Sequence, residues 1–169
     1  MEIIKANMSH LIEALYLMRQ CNDELLKNNI IQWEEENTTM QRVKNDIENG
    51  YLYVMRDNNV TIGTMAISPF LPIEDQNKDD TKKTITVYRF AIIPFWQKKG
   101  IGQKLMSFAE KFAADNGYEN IRVNISVNNL RAINFYTTRK YKKAYEFISE
   151  KTNEPYTCFE KELVGELVN

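Results

Sequence analysis

The chain has 169 residues, 43% of them apolar and 27% charged, which suits one globular domain with its own core over residues 1–169. A formal net charge of −1 excludes a global field that would drive it onto nucleic acid or a membrane, so any charge-based function belongs to a local patch. Two cysteines, Cys21 and Cys158, and one histidine, His10, leave no metal-ligand spacing and no disulfide framework.

The opening residues, MEIIKANMSH, hold no apolar run long enough for a signal peptide. No later stretch approaches the roughly 20 apolar residues of a membrane span. A cytoplasmic location is expected, with both cysteines as free buried thiols and a lone disulfide as the alternative. Glu2 to Lys5 reads as a first strand. Ser9 reads as the N-cap of an amphipathic helix with Leu11, Ile12, Leu15, Met18 and Leu25 near one face, and His10 as a partly exposed residue at its start. Thr38 and Gln41 make a T-x-x-Q capping box for a second helix ending at Asn49-Gly50. YLYVM (51–55) and VTIGTMAIS (60–68) read as strands around a turn at Arg56-Asp57-Asn58-Asn59. The polar, proline-bearing segment 71–83 reads as a loop, and TITVYRFAII (84–93) as a strand that Pro94 stops. Ile101, Leu105, Phe108 and Phe112 then fall on one face of a helix closed by Asn116-Gly117. NIRVNISV (120–127) is a strand, a helix follows from Asn128 or Asn129 to about Arg139, and 141–148 and 156–163 are two closing strands. The order β-α-α-β-β-β-α-β-α-β-β gives an α/β class: a mixed central sheet of six to seven strands, flanked by about four helices.

Residues 97–105 read QKKGIGQKL, a glycine pair and three lysines at the start of a helix. A helix N-terminus leaves its first amide hydrogens unpaired and carries partial positive charge. Glycines before it let those amides converge into a nest that binds anions, phosphate above all. The Walker pattern is absent, and Leu105 stands where a dinucleotide fingerprint needs its third glycine. A bare G-x-G also fits a plain strand-to-helix turn.

The wider context is more specific. A strand, Ala91-Ile92-Ile93-Pro94, then Gln97-Lys98-Lys99-Gly100-Ile101-Gly102 and a helix resemble the acyl-CoA-binding segment of the GNAT family of N-acetyltransferases. Asn129, Ala132 and Tyr136 match that family's N-x-x-A-x-x-x-Y helix. The resemblance spans nearly the whole chain, most specifically 84–141. It implies acetyl-CoA as co-substrate, no metal, and central strands 84–93 and 120–127 that splay apart near Pro94. It further implies that Phe90, Ala91 and Ile92 offer backbone groups to the pantetheine arm, as to an added strand. Gln97, Lys98, Lys99, Gly100, Ile101, Gly102 and Gln103 would receive the pyrophosphate, Asn129 would contact the pantetheine or a water, and Tyr136 would sit near the thioester sulfur.

The implied reaction is direct attack of an amine on the thioester carbonyl, with an amide near Ile92 stabilising the oxyanion. A phenol of pKa about 10 can donate to a leaving thiolate of pKa about 8.5; the other reading of Tyr136 is a core aromatic. Thr86 and Asn124 stand where many members carry a glutamate base, so a base from elsewhere, a water chain or an already neutral amine must serve, and Tyr88 is a candidate for lining a water path. Lys140 replaces the family's usual glycine after the tyrosine helix, which predicts a modified helix end.

The resemblance implies a primary amine on a small molecule or peptide as acceptor. Trp33 and Glu34, within Gln32-Trp33-Glu34-Glu35-Glu36, would suit a cation by charge and cation–π attraction; a solvated acidic turn is the alternative. Segment 71–83 is either a cover on the acceptor side or a hairpin tip. The basic run Arg139, Lys140, Lys142, Lys143 reads as a solvated face or a coenzyme 3′-phosphate contact. No nucleic-acid or membrane partner is expected, and the chain is expected as a monomer or a homodimer paired through its C-terminal edge strands. Two rival readings remain: a non-catalytic acyl-CoA-binding module, and an unrelated phosphate-binding α/β protein.

Overall fold

The computed structural model describes residues 1–33, 38–69 and 83–163. Seven strands form one sheet: β1 (Glu2–Lys5), β2 (Leu52–Asp57), β3 (Val60–Ser68), β4 (Thr84–Ile92), β5 (Asn120–Ser126), β6 (Lys142–Ile148) and β7 (Pro155–Glu162). Their order is β1-β2-β3-β4-β5-β7-β6. Every pairing is antiparallel except β4 with β5. The helices among the described residues are α1 (Leu11–Lys27), α2 (Met40–Glu48), α3 (Ile101–Asp115) and α4 (Leu130–Thr138), and none is long and apolar enough to cross a membrane.

Strand alternation assigns the two faces. Leu52, Val54 and Ala66 meet Leu11, Ala14, Leu15 and Met18 of α1 and Val43 and Ile47 of α2. Their neighbours Tyr53, Met55, Met65 and Ile67 point the other way, onto Ile101, Leu105, Met106 and Ala109 of α3. Strands buried on both sides read as continuous apolar runs, which is why β2 and β3 lack clear alternation in sequence.

Local structure departs from expectation in several places. Ile12 is 64% exposed; Ala14, Leu17 and Cys21 fill the inward face of α1 instead. Asn7, not Ser9, caps the chain here, and it caps a 3-10 turn, Met8–His10, that leads into α1: its side chain accepts from Ser9 N while Asn7 N donates to His10 Nδ1 at 3.0 Å. His10 is therefore a buried capping residue. Thr39, not Thr38, caps α2 by accepting from Arg42 N. The β2–β3 turn is the two-residue Asn58-Asn59, both left-handed, a conformation asparagine tolerates and tight hairpins require. Cys21 and Cys158 are free and buried, as expected.

The end of α4 is not modified as the lysine suggested. Lys140 N donates to Thr137 O and Tyr141 N to Tyr136 O, both at 3.0 Å, the paired bonds of an ordinary left-handed helix stop. Lys140 adopts φ +69° to make it. Lys140→Gly is expected to raise stability by about 1 kcal/mol, read as a higher urea midpoint with an unchanged slope.

Candidate active site

β4 and β5 pair over only three positions, Thr84 with Asn120, Ile85 with Ile121 and Thr86 with Arg122. A bulge in β4 separates them beyond that point. Thr64 lies opposite Ala91 but Ala66 opposite Tyr88, so β4 carries one extra residue there. Arg89 takes up the distortion at φ +49°. It is held by Thr64 Oγ1, which donates to Arg89 O at 2.8 Å, and by an ion pair from Arg89 Nε to the Asp46 carboxylate. Tyr88 donates its hydroxyl hydrogen to the other Asp46 oxygen at 3.0 Å. A buried carboxylate from α2 thus pins the bend, and β4 beyond Thr86 has no strand partner on the β5 side among the described residues. The splay expected of strands 84–93 and 120–127 is present.

The free edge leads to the glycine corner. Lys98 at φ +59° and Gly100 at φ +80° turn the chain twice through the left-handed region before α3 begins, a backbone pattern that converges amide hydrogens. No side chain caps α3, so its first amides remain available. A Cβ on Gly100 would meet nothing within 4 Å, so the corner is open on that side. Gly102 has a different reason: a Cβ there would lie 3.3 Å from both Ile92 Cδ1 and Phe135 Cε2, so α3 starts closely packed on β4 and α4. Gln97 braces the corner by donating from Nε2 to Ile92 O at 2.9 Å and accepting from Arg131 Nη1 at 2.9 Å.

One cavity of about 1030 Å³ joins the free edge, the corner and the far side of the sheet. Phe90, Ala91, Ile92, Gln97, Lys98, Gly100, Gly102, Gln103, Asn129, Tyr136, Trp33 and Tyr88 all line it. Two expected residues do not. Lys99 Nζ lies 3.8 Å over the Phe95 ring, and Ile101 packs its side chain into the core, leaving only its amide near the corner. Glu34, Glu35 and Glu36 lie outside the described residues, as does segment 71–83 apart from Lys83. In the basic run, Arg139 pairs with Glu110 and Lys143 with Glu146.

Asn129 caps α4, its Oδ1 accepting from Ala132 N at 3.3 Å. Its Nδ2 donates to Gln32 Oε1 at 3.1 Å. Gln32 also accepts from Ser126 N at 3.0 Å and donates to Asn124 O at 3.1 Å. Its amide therefore occupies backbone positions of β5 that the missing strand partner leaves open, and fastens the segment after α1 over the cavity.

Tyr136 is 3% exposed, edge-on to Phe90, Phe135 and Tyr141, and its hydroxyl lies 4.0 Å from Met106 Sδ. Burial raises its pKa above the ordinary phenol value, Arg139 pulls the other way, and Glu110 adds to the rise; the phenol stays protonated. Burial raises Tyr88 too, with the Asp46 charge next. The Cys21 thiol donates to Ile92 O at 3.2 Å and is pushed up to about 11 by burial and then Glu24.

Gln32, Asp46, Ser68 and Arg131 all line the cavity, and sequence reasoning assigned none of them a role. Asp46 had a signal: it sits between Val43 and Ile47 in the inward stripe of α2, where a carboxylate is out of place. Gln32 had none, since its partner Asn129 is 97 residues away.

A family model described as the acetyltransferase (GNAT) family matches residues 13–141. No curated protein matches the sequence. Solved structures share the fold. A GNAT-family acetyltransferase from Streptococcus agalactiae superposes with a TM-score of 0.78 at 15% identity, over 95% of this chain and 94% of that one. A PaiA N-acetyltransferase from Thermoplasma acidophilum, solved in complex with coenzyme A, gives 0.72 at 16% identity, over 95% and 98%. A ribosomal-protein-alanine N-acetyltransferase from Brucella melitensis gives 0.73 at 15% identity, over 96% and 100%.

Proposed function

The chain belongs to the GNAT acetyltransferase family, and from that premise we propose that it moves an acetyl group from acetyl-CoA to a primary amine, on a small molecule or a peptide, by direct attack. The observation that carries this reading is the single cavity running from the uncapped start of α3, along the free edge of β4, to the polar side chains beneath α2. The residues present fit the donor: an open corner at Gly100, a cation on Lys98, and a β4 edge that has no strand partner beyond Thr86 among the described residues. The Thermoplasma neighbour's complex with coenzyme A and the Brucella neighbour's name support, respectively, the donor and a peptide amine among the acceptors.

In this reading Phe90, Ala91 and Ile92 hold the pantetheine arm by backbone bonds, as an edge strand holds a peptide. Amides from Gln97 to Gln103 receive the pyrophosphate, with Lys98 adding charge. Asn129 contacts the arm at the start of α4. Bound acetyl-CoA supplies an activated carbonyl carbon. An amide near Ile92 stabilises the oxyanion, and Tyr136 gives a hydrogen bond to the departing sulfur. Its contact with a thioether, a weak acceptor, leaves that hydrogen little committed. Trp33 and Tyr88 line the acceptor end.

The test is thiol release from acetyl-CoA across a panel of small amines and peptides. Amine-dependent release is the expected result. Binding of acetyl-CoA without turnover on any amine would assign the chain to the sensing alternative, and no binding would overturn both. Tyr136→Phe is expected to lower kcat roughly tenfold or more, the scale of one hydrogen bond to a charged group, with the Kd of acetyl-CoA unchanged. Unchanged kcat would remove Tyr136 from the chemistry.

A further inference from the structure

The family's glutamate positions hold Thr86 and Asn124, and the structure places these two side chains in an unusual state. Thr86 Oγ1 and Asn124 Oδ1 are both buried, and neither has a hydrogen-bond partner among the described residues. Both line the cavity, on the two strands that diverge. Buried oxygens without donors are rare, because each has given up water for nothing. A ligand bearing several N–H groups would satisfy both.

Next to them runs a line of hydroxyls. Ser68 lies directly across from Thr86 on β3. It hydrogen-bonds the Tyr88 hydroxyl, which donates to Asp46 Oδ1 at 3.0 Å. Ser68, Tyr88 and Asp46 all line the same cavity as the two unpaired oxygens. The line ends on a carboxylate.

We propose that the acceptor ammonium docks on Thr86 Oγ1 and Asn124 Oδ1 and passes its proton through Ser68 and Tyr88 to Asp46, which serves as the terminal proton acceptor in place of the missing glutamate. This rests on the acyltransferase reading above. One N–H bond breaks and its proton goes to Ser68 Oγ. The Ser68 hydrogen moves to Tyr88 Oη, and the Tyr88 hydrogen to Asp46 Oδ1, which becomes a carboxylic acid. The freed nitrogen lone pair bonds to the thioester carbonyl carbon. The C–S bond breaks with its electron pair on sulfur, and that thiolate takes the second nitrogen proton. Burial holds the Tyr88 phenol well above the ordinary pKa of tyrosine, so it releases one proton only as it gains another. The Asp46 carboxylate is paired with the Arg89 guanidinium.

The test compares two amines of nearly one shape and very different basicity: phenethylamine, or the primary alkylamine of the panel that turns over fastest, and its β,β-difluoro analogue, which is largely neutral at the assay pH. Tyr88→Phe keeps the ring and the Asp46–Arg89 pair while cutting the relay. Ser68→Ala cuts it one step earlier and carries the test should the first variant fold poorly. Each is expected to lose about 100-fold in kcat/KM on the basic amine, the usual worth of positioned proton transfer. On the fluorinated amine each should stay within about threefold of the parent enzyme. Equal losses on both amines would overturn the relay and leave these residues as pocket walls. No loss on either would show that the proton leaves by another route. A parent enzyme that binds acetyl-CoA and acetylates no amine would overturn the acyltransferase reading instead.

Discussion

Gly100→Asp is expected to weaken acetyl-CoA binding by about 100-fold or more while leaving the fold nearly as stable as before. Gly100 adopts φ +80° and ψ 5°, and aspartate is among the side chains that tolerate this region. Its Cβ would meet no atom within 4 Å. The backbone strain, about 1 kcal/mol, is offset in part by a negative charge at the start of α3, worth about 0.3–1 kcal/mol. For an incoming diphosphate the outcome is different. Two like charges 4 Å apart repel by about 4 kcal/mol at an effective dielectric near 20. Even with the carboxylate turned partly away, about 3 kcal/mol remains, which is about 100-fold in Kd. Gly100→Asn is the control, since it has the same shape and the same left-handed tolerance without the charge. Calorimetry should show the asparagine variant within a few-fold of the parent, and the gap to aspartate should narrow as salt rises. Equal affinities for the two variants would mean that the diphosphate is not held at this corner.

The parts of the site that could be read from the sequence are those made by residues close together in the chain. Gln97 to Gly102 form a turn whose function depends on local backbone geometry, so their identities announce it. Asn129 caps the helix it begins, and Tyr136 lies seven positions further on the same element. The divergence of β4 and β5 was expected only because the family has it; nothing in TITVYRFAII marks the bulge at Arg89. That bulge is set by tertiary contacts, Thr64 from β3 and Asp46 from α2. Ser68, Thr86, Asn124 and Asp46 meet through strand register and helix docking, and register is invisible in single residues. The same reasoning explains Ile12, where local periodicity suggested an inward side chain and the docking angle of α1 chose Ala14 and Leu17. Thr86 and Asn124 looked in sequence like losses of a base. In the folded chain they carry two buried oxygens with no partner among the described residues, beside a hydroxyl line that ends on Asp46.

Raising the pH above about 10 is expected to unfold the protein steeply. Three buried phenols, Tyr88, Tyr136 and Tyr141, have pKa values raised by burial and further by a nearby carboxylate, Asp46 for Tyr88 and Glu110 for Tyr136 and Tyr141. In the unfolded chain each would ionise near pH 10. Above that pH the unfolded state releases protons that the folded state retains. The stabilisation from keeping these phenols neutral is therefore complete below pH 10 and is lost as pH rises toward their folded values. Each group contributes a slope of about 1.4 kcal/mol per pH unit, so three give about 4 kcal/mol per unit. The Cys21 thiol, pushed up to about 11, adds to the same trend from a lower onset. A domain of ordinary stability, about 5–15 kcal/mol, loses much of its margin within one or two units. Urea midpoints at pH 8, 10 and 11 would measure this, and Tyr136→Phe should flatten the phenol slope by about one third. A midpoint that stays constant from pH 10 to 11 would mean that these hydroxyls are solvated. Tyr136 would then no longer be the neutral donor on which its assigned role depends. The same burial predicts that activity at alkaline pH falls with unfolding and not with ionisation of Tyr136 in the native enzyme, because the folded phenol keeps its hydrogen throughout the range in which the fold survives.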